Sequence, residues 1–127
     1  MNKAVIDLGS NLNPEENILA ARFLLSKIFT VLKESSFRKT RPVKHPLAEK
    51  FLNGCVYIET SLDSQSLKAE LKRLEKELGR DHEASDSTAH PIDLDIVIFN
   101  NQVIDKSFYE RPFLKETVLQ LLPGLKF

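Results

Sequence analysis

The chain has 127 residues, 42% of them hydrophobic and 28% charged, which predicts one domain over residues 1–127 with a buried core and excludes long disorder. Lysine plus arginine equals aspartate plus glutamate at 18 each, so the basic excess of a dedicated nucleic-acid binder is missing, although a local anion site stays open. No basic stretch followed by a long apolar run opens the chain. No apolar run approaches the roughly 20 residues that span a bilayer, so neither a signal peptide nor a membrane partner is expected, and the expected compartment is the cytoplasm.

Ala4-Val5-Ile6 with Leu8 predicts a short buried strand, ended by the turn residues Gly9-Ser10-Asn11. A helix follows: Asn13 is placed to cap it, Pro14 suits its first position and Glu16 lies three residues beyond the cap. Ile18, Ala21, Leu25 and Ile28 recur at helical spacing, with an end near Lys27 or Ile28. Thr30 to Phe37 reads as a second strand. Arg38 to Lys50 carries Pro42, Pro46 and six basic residues counting His45, and reads as a loop. A third strand is predicted from about Cys55 to Thr60. Cys55 is the only cysteine, so it has no disulfide partner within the chain, and its apolar setting favours a buried structural thiol over a nucleophile.

Asp63 or Ser64 caps a second helix, in which Leu67, Leu71, Leu74 and Leu78 form one apolar stripe and Gly79 supplies the stop. Asp81 to His90 has no periodicity and reads as a polar loop of a length that often carries function. Ile92 to Phe99 is the clearest strand, Asn100-Asn101 a turn, and Glu116 to Leu122 a short last helix stopped by Pro123-Gly124. The order strand, helix, strand, strand, helix, strand predicts an α+β, ferredoxin-like fold, an antiparallel-rich sheet with two main helices on one face.

Asp93-Leu94-Asp95 is the sharpest chemical feature. Residues two apart on a strand share a face, so the two carboxylates stand side by side and repel unless a cation joins them. Mg²⁺ suits such a pair, because it takes one or two carboxylates together with substrate phosphates. Two solvated aspartates on an exposed face are an equal alternative from spacing alone. Leu8-Gly9-Ser10-Asn11-Leu12 can offer backbone N–H groups to an anion, and is also an ordinary strand-to-helix turn. Asn53 can present two donors and an acceptor to a heterocycle, or simply sit in a turn. Glu75, Arg80 and Arg111-Pro112-Phe113 carry no signal singly.

Taken in order, Leu8-Gly9-Ser10-Asn11-Leu12, Phe51-Leu52-Asn53, Glu59-Thr60-Ser61-Leu62, Leu78-Gly79-Arg80 and Ile92-Asp93-Leu94-Asp95-Ile96 resemble the successive signatures of the 6-hydroxymethyl-7,8-dihydropterin pyrophosphokinases. The resemblance runs from about Ala4 to Phe113. It implies transfer of the pyrophosphoryl group of ATP to the hydroxymethyl group of a dihydropterin, with release of AMP, in folate biosynthesis. It also implies two Mg²⁺ ions on Asp93 and Asp95, catalytic roles for these two with Arg80 and His90, and small molecules as partners. The pterin would meet Thr40, Pro42, Val43, Phe51, Asn53 and Phe113, and the nucleotide Lys72, Glu75, Ile96 and Arg111. Protein partners are not implied.

Departures from the family pattern favour an alternative, a pterin- or nucleotide-binding relative without turnover. The loop Asp81 to His90 has three acids and no Lys or Arg, His82 and His90 stand where arginines are expected, and a His-Pro segment between Val103 and Arg111 is missing.

Overall fold

A computed structural model describes residues 1–40, 50–79 and 91–126. In chain order its elements are β1 (Asn2–Ser10), α1 (Pro14–Ile28), β2 (Thr30–Glu34), β3 (Arg38–Thr40), β4 (Phe51–Thr60), α2 (Ser64–Glu77), β5 (Asp93–Phe99), β6 (Gln102–Val103), a 3-10 turn (Lys106–Glu110) and α3 (Pro112–Leu121). The sheet runs β2-β4-β1-β5-β6 with β3 also beside β4, and every pairing among the described residues is antiparallel. With β2 and β3 counted as one arm, this is the expected α+β ferredoxin-like fold.

Each helix is set by local chemistry. The Asp63 carboxylate accepts the Ser66 N–H at 2.7 Å and caps α2, a bond that holds Asp63 below the usual carboxylate range. Gly79 at φ 96 ends the same helix in a conformation open to glycine. At the start of α1 the expected cap is positional only: Asn13 has φ 44 and makes no side-chain capping bond, while its carbonyl accepts the Asn17 N–H at 3.0 Å. Asn100 and Asn101, at φ 49 and 67, form the two-residue turn that joins β5 to β6.

The central strands carry a buried core on each face. On one, Ala4, Ile6 and Leu8 of β1 meet Ile18, Ala21 and Leu25 of α1 and Leu67, Leu71 and Leu74 of α2. Burying each of these leucines contributes roughly 1.5–3 kcal/mol. On the other face Val5, Cys55, Val97 and Ile98 pack against Phe108 of the 3-10 turn and Leu114, Val118 and Leu121 of α3. A register shift opposite Val5 and Ile6 bulges β5, so Val97 and Ile98 are both buried and strict alternation fails there.

Several expectations are corrected. Gly9 and Ser10 belong to β1, because β4 and β5 pair with it as far as Gly9 and β4 continues to Ser10. Arg38 to Thr40 is a strand, paired residue for residue with Asn53 to Phe51, and β4 begins at Phe51 for the same reason. Ile28 is exposed, and Phe29 takes the buried position. The last helix begins at Pro112, and it covers the sheet face opposite the two main helices. Among the described residues no helix is long and apolar enough to cross a membrane.

Candidate active site

α3 covers only part of its sheet face. Beyond it the ends of β1, β4 and β5 bring polar residues together. Asp93 pairs with Gly9 and Asp95 with Asp7, so all four point to the same face, as their alternation requires. Asp95 is exposed and Asp93 half-buried. Asp7 is buried at 6% exposure, and its Oδ2 stands 3.2 Å from the Arg111 guanidinium. Burial pushes the Asp7 carboxyl up to about 7, Arg111 opposes the rise, and the charge of Asp95 adds to it. Cys55, opposite Asp7 on β4, is buried; burial first, then the Asp7 charge, pushes its thiol up, as befits a structural cysteine.

A second cluster lies one strand over. Asn53, buried on β4, accepts a hydrogen bond from the Thr40 hydroxyl at 2.5 Å and donates to the Leu8 carbonyl at 3.4 Å. Gly9 lets this amide approach: a Cβ there would lie 2.7 Å from Asn53 Nδ2 and 3.4 Å from the Phe51 ring. Phe113, the second residue of α3, is half-buried, and the Arg38 guanidinium stacks 4.3 Å above its ring. Arg38 also pairs with Glu116 at 2.5 Å.

A groove of about 400 Å³ runs between α2 and the β5 edge, lined among others by Lys68, Lys72, Asp95, Ile96, Ile104 and Asp105. Lys72 and Ile96 thus share one cavity with Asp95. Glu75 does not line it. Its carboxylate is buried beneath, accepting the Leu94 N–H at 2.6 Å with Lys72 Nζ at 3.4 Å.

Of the expected site residues, Asp93, Asp95, Asn53, Thr40, Phe51, Phe113, Arg111, Lys72 and Ile96 therefore surround one stretch of sheet and its edge. Pro42, Val43, Arg80, His82 and His90 lie outside the described residues. The sequence reading does not anticipate Asp7, Arg38 or Lys68. The available signal for Asp7 was one acid inside the apolar run Ala4 to Leu8. Among the described residues no three His, Cys, Asp or Glu side chains form a metal site by themselves.

An antiparallel α+β sheet with paired carboxylates beside a groove, and a buried amide next to an aromatic ring, has the mix of apolar walls and placed polar groups typical of small-molecule sites. The family model for 7,8-dihydro-6-hydroxymethylpterin-pyrophosphokinase matches residues 5–123, and the chain belongs to that family. It is 36% identical over 104 residues to the 2-amino-4-hydroxy-6-hydroxymethyldihydropteridine pyrophosphokinase of Haemophilus influenzae, covering 80% of this chain and 64% of that protein. Against the folate synthesis bifunctional protein of Arabidopsis thaliana it is 32% identical over 130 residues, 94% of this chain and 27% of that protein. A pyrophosphokinase of the same name from Porphyromonas gingivalis is 31% identical over 97 residues, 73% of this chain and 66% of that protein. The chain thus spans about a quarter of the plant relative and under two thirds of the Haemophilus one.

Proposed function

We propose that this chain transfers the pyrophosphoryl group of ATP to the hydroxymethyl oxygen of 6-hydroxymethyl-7,8-dihydropterin, in folate biosynthesis. The observation that carries the reading is the shared face of Asp93 and Asp95, with Asn53 and Phe51 beside Gly9 on the β4 side and the α2–β5 groove on the other. The names of the Haemophilus and Arabidopsis relatives support the substrate class. In the transfer the hydroxyl oxygen attacks the β-phosphorus and loses its proton. The bond from that phosphorus to the oxygen bridging it to the α-phosphorus breaks, and AMP leaves.

Each residue has a task in this scheme. Asn53, held by Thr40, orients the pterin edge, while Phe51 and Phe113 supply stacking area. The family resemblance assigns Pro42 and Val43 to the pterin as well. Lys72 and Ile96 take the nucleotide in the groove, and Glu75 supports it from beneath. Asp93 and Asp95 fit Mg²⁺, with two ions proposed; bound there, the metal neutralises charge on the phosphate oxygens. Arg111 stabilises charge that develops on the polyphosphate during transfer, a role the reading also assigns to Arg80 and His90. The polar loop with three acids and no arginine favours a second reading, a ligand-binding relative without turnover.

AMP formation from Mg²⁺-ATP, measured with and without the dihydropterin, decides between them. Dihydropterin-dependent AMP that disappears in Asp95→Ala, with the fold intact by circular dichroism, is the expected result. Pterin binding by calorimetry without any AMP would leave the binding relative, and no binding of either ligand would sink both.

A further inference from the structure

Asp7 is the polar group of this face that no catalytic role has absorbed. It is an acid within an apolar central strand, at 6% exposure, where an ionised carboxylate is costly unless paired. Its partner is Arg111, at 3.2 Å, with side-chain exposures of 7% and 31% for Asp7 and Arg111. Around the carboxylate stand Cys55, whose Sγ is 4.0 Å from Oδ1, Asp95 across the β1–β5 register, and Asp105. Arg111 is also the residue from which α3 starts: its carbonyl accepts the Lys115 N–H at 3.1 Å, and Phe113 lies two residues on. The ion pair therefore holds a guanidinium on Asp7, whose register partner is Asp95, and ties down the helix end that carries Phe113.

We propose that Asp7 is a positioning residue, holding the Arg111 guanidinium at the floor of the site next to Asp95 so that it meets the polyphosphate without reorganising. The proposal rests on the pyrophosphokinase reading for what Arg111 contacts, but not for the positioning itself. A merely structural buried ion pair predicts loss of stability on removal. A positioning pair predicts, whatever happens to stability, a loss of rate and of Arg111 rigidity in the folded protein, and one-third exposed Arg111 can turn to water when the carboxylate is gone.

The test uses the full chain as wild type, Asp7→Asn, Asp7→Ala, Arg111→Ala and the double variant Asp7→Ala/Arg111→Ala, with two readouts. In steady-state AMP formation at pH 8, above the value of about 7 to which burial raises Asp7 and so with its carboxylate ionised, Asp7→Asn is expected to lower kcat on the order of 100-fold, as for a displaced catalytic group, with the KM for dihydropterin within about twofold. The double variant should be no slower than Arg111→Ala alone. Independently of turnover, the Arg111 Nε–H NMR signal should show a rigid side chain in wild type and a mobile one in Asp7→Asn. A guanidinium that stays rigid in Asp7→Asn, or losses that multiply in the double variant, would overturn the proposal. A wild type that forms no AMP but loses Arg111 rigidity in Asp7→Asn would remove the pyrophosphokinase reading and leave the positioning standing. Asp7→Asn keeps the side-chain shape, so the test survives if Asp7→Ala fails to fold.

Discussion

Glu75 offers a direct check on how the acidic pair is held. Its side chain has no exposed surface, and its Oε2 accepts the N–H of Leu94, the residue between Asp93 and Asp95. Removing the carboxylate leaves that N–H buried, at a cost of roughly 1–3 kcal/mol, toward the upper end for a charged acceptor. Loss of the methylene packing in Glu75→Ala adds about 0.8 kcal/mol. A chain of 127 residues unfolds with an entropy of about 0.27 kcal/mol/K, so ~3 kcal/mol lowers Tm by about 11 °C. Glu75→Leu restores volume without an acceptor and should lose nearly as much. Glu75→Gln keeps an acceptor oxygen and should lose about a third of it. Urea unfolding gives the energies, and hydrogen exchange at the Leu94 amide gives the cause: protection should fall in the alanine and leucine variants and persist in glutamine. A Glu75→Leu protein as stable as wild type, with Leu94 still protected, would refute the reasoning.

Two further outcomes follow from the site face. Burial first, and Asp95 in support, raises Asp7 from 3.8 to about 7 against the pull of Arg111, so the folded state holds a proton that the unfolded chain releases. This contribution to stability is complete below pH 4, falls as pH rises, and is gone above pH 7; it amounts to at most about 4 kcal/mol. Unfolding curves at pH 5 and pH 8 should show Asp7→Asn gaining on wild type as pH rises, and a constant gap between the two would contradict the burial argument. Gly9→Ala should weaken pterin binding by at least about tenfold while Tm falls by only a few degrees, since its methyl would press on the Asn53 amide and the Phe51 ring. Calorimetry with a pterin analogue checks this, and unchanged affinity would show that Asn53 does not orient the ligand.

How much was legible in the sequence depended on whether a feature was local. The shared face of Asp93 and Asp95 follows from a period of two, and the structure keeps it because the β5 bulge falls after Ile96, beyond the pair. The leucine stripe of α2 and the Asp63 cap were likewise readable in place. Gly9-Ser10 looked like a turn because glycine and serine favour turns. Pairing on both sides of β1 overrides that preference, and glycine serves the close approach of Asn53 instead. Arg38-Lys39-Thr40 looked like loop because a three-residue strand is too short to show alternation. Pro112 is well placed for a first helical position, yet without a visible cap before it the start of α3 had no local mark. Asp7 was hardest, since its meaning comes from a partner 104 positions away, brought over the sheet by α3.

The position of the groove has a cause in the same topology. β6 pairs only with Ile98 and Phe99, so the first half of β5 has no strand on that side among the described residues. An open edge carries backbone groups that need partners. Glu75 supplies one by taking the Leu94 N–H, and α2 thereby closes over the edge without adding a strand. Two residues on, the backbone of Ile96 turns the same way, toward the groove that Lys68 and Lys72 line. The short β6 that leaves the edge open, the buried glutamate that takes its Leu94 N–H, and the aspartates on the same strand are parts of one arrangement. On the proposed reading that arrangement would seat the nucleotide in the groove and the pterin against Asn53, meeting over the acidic pair.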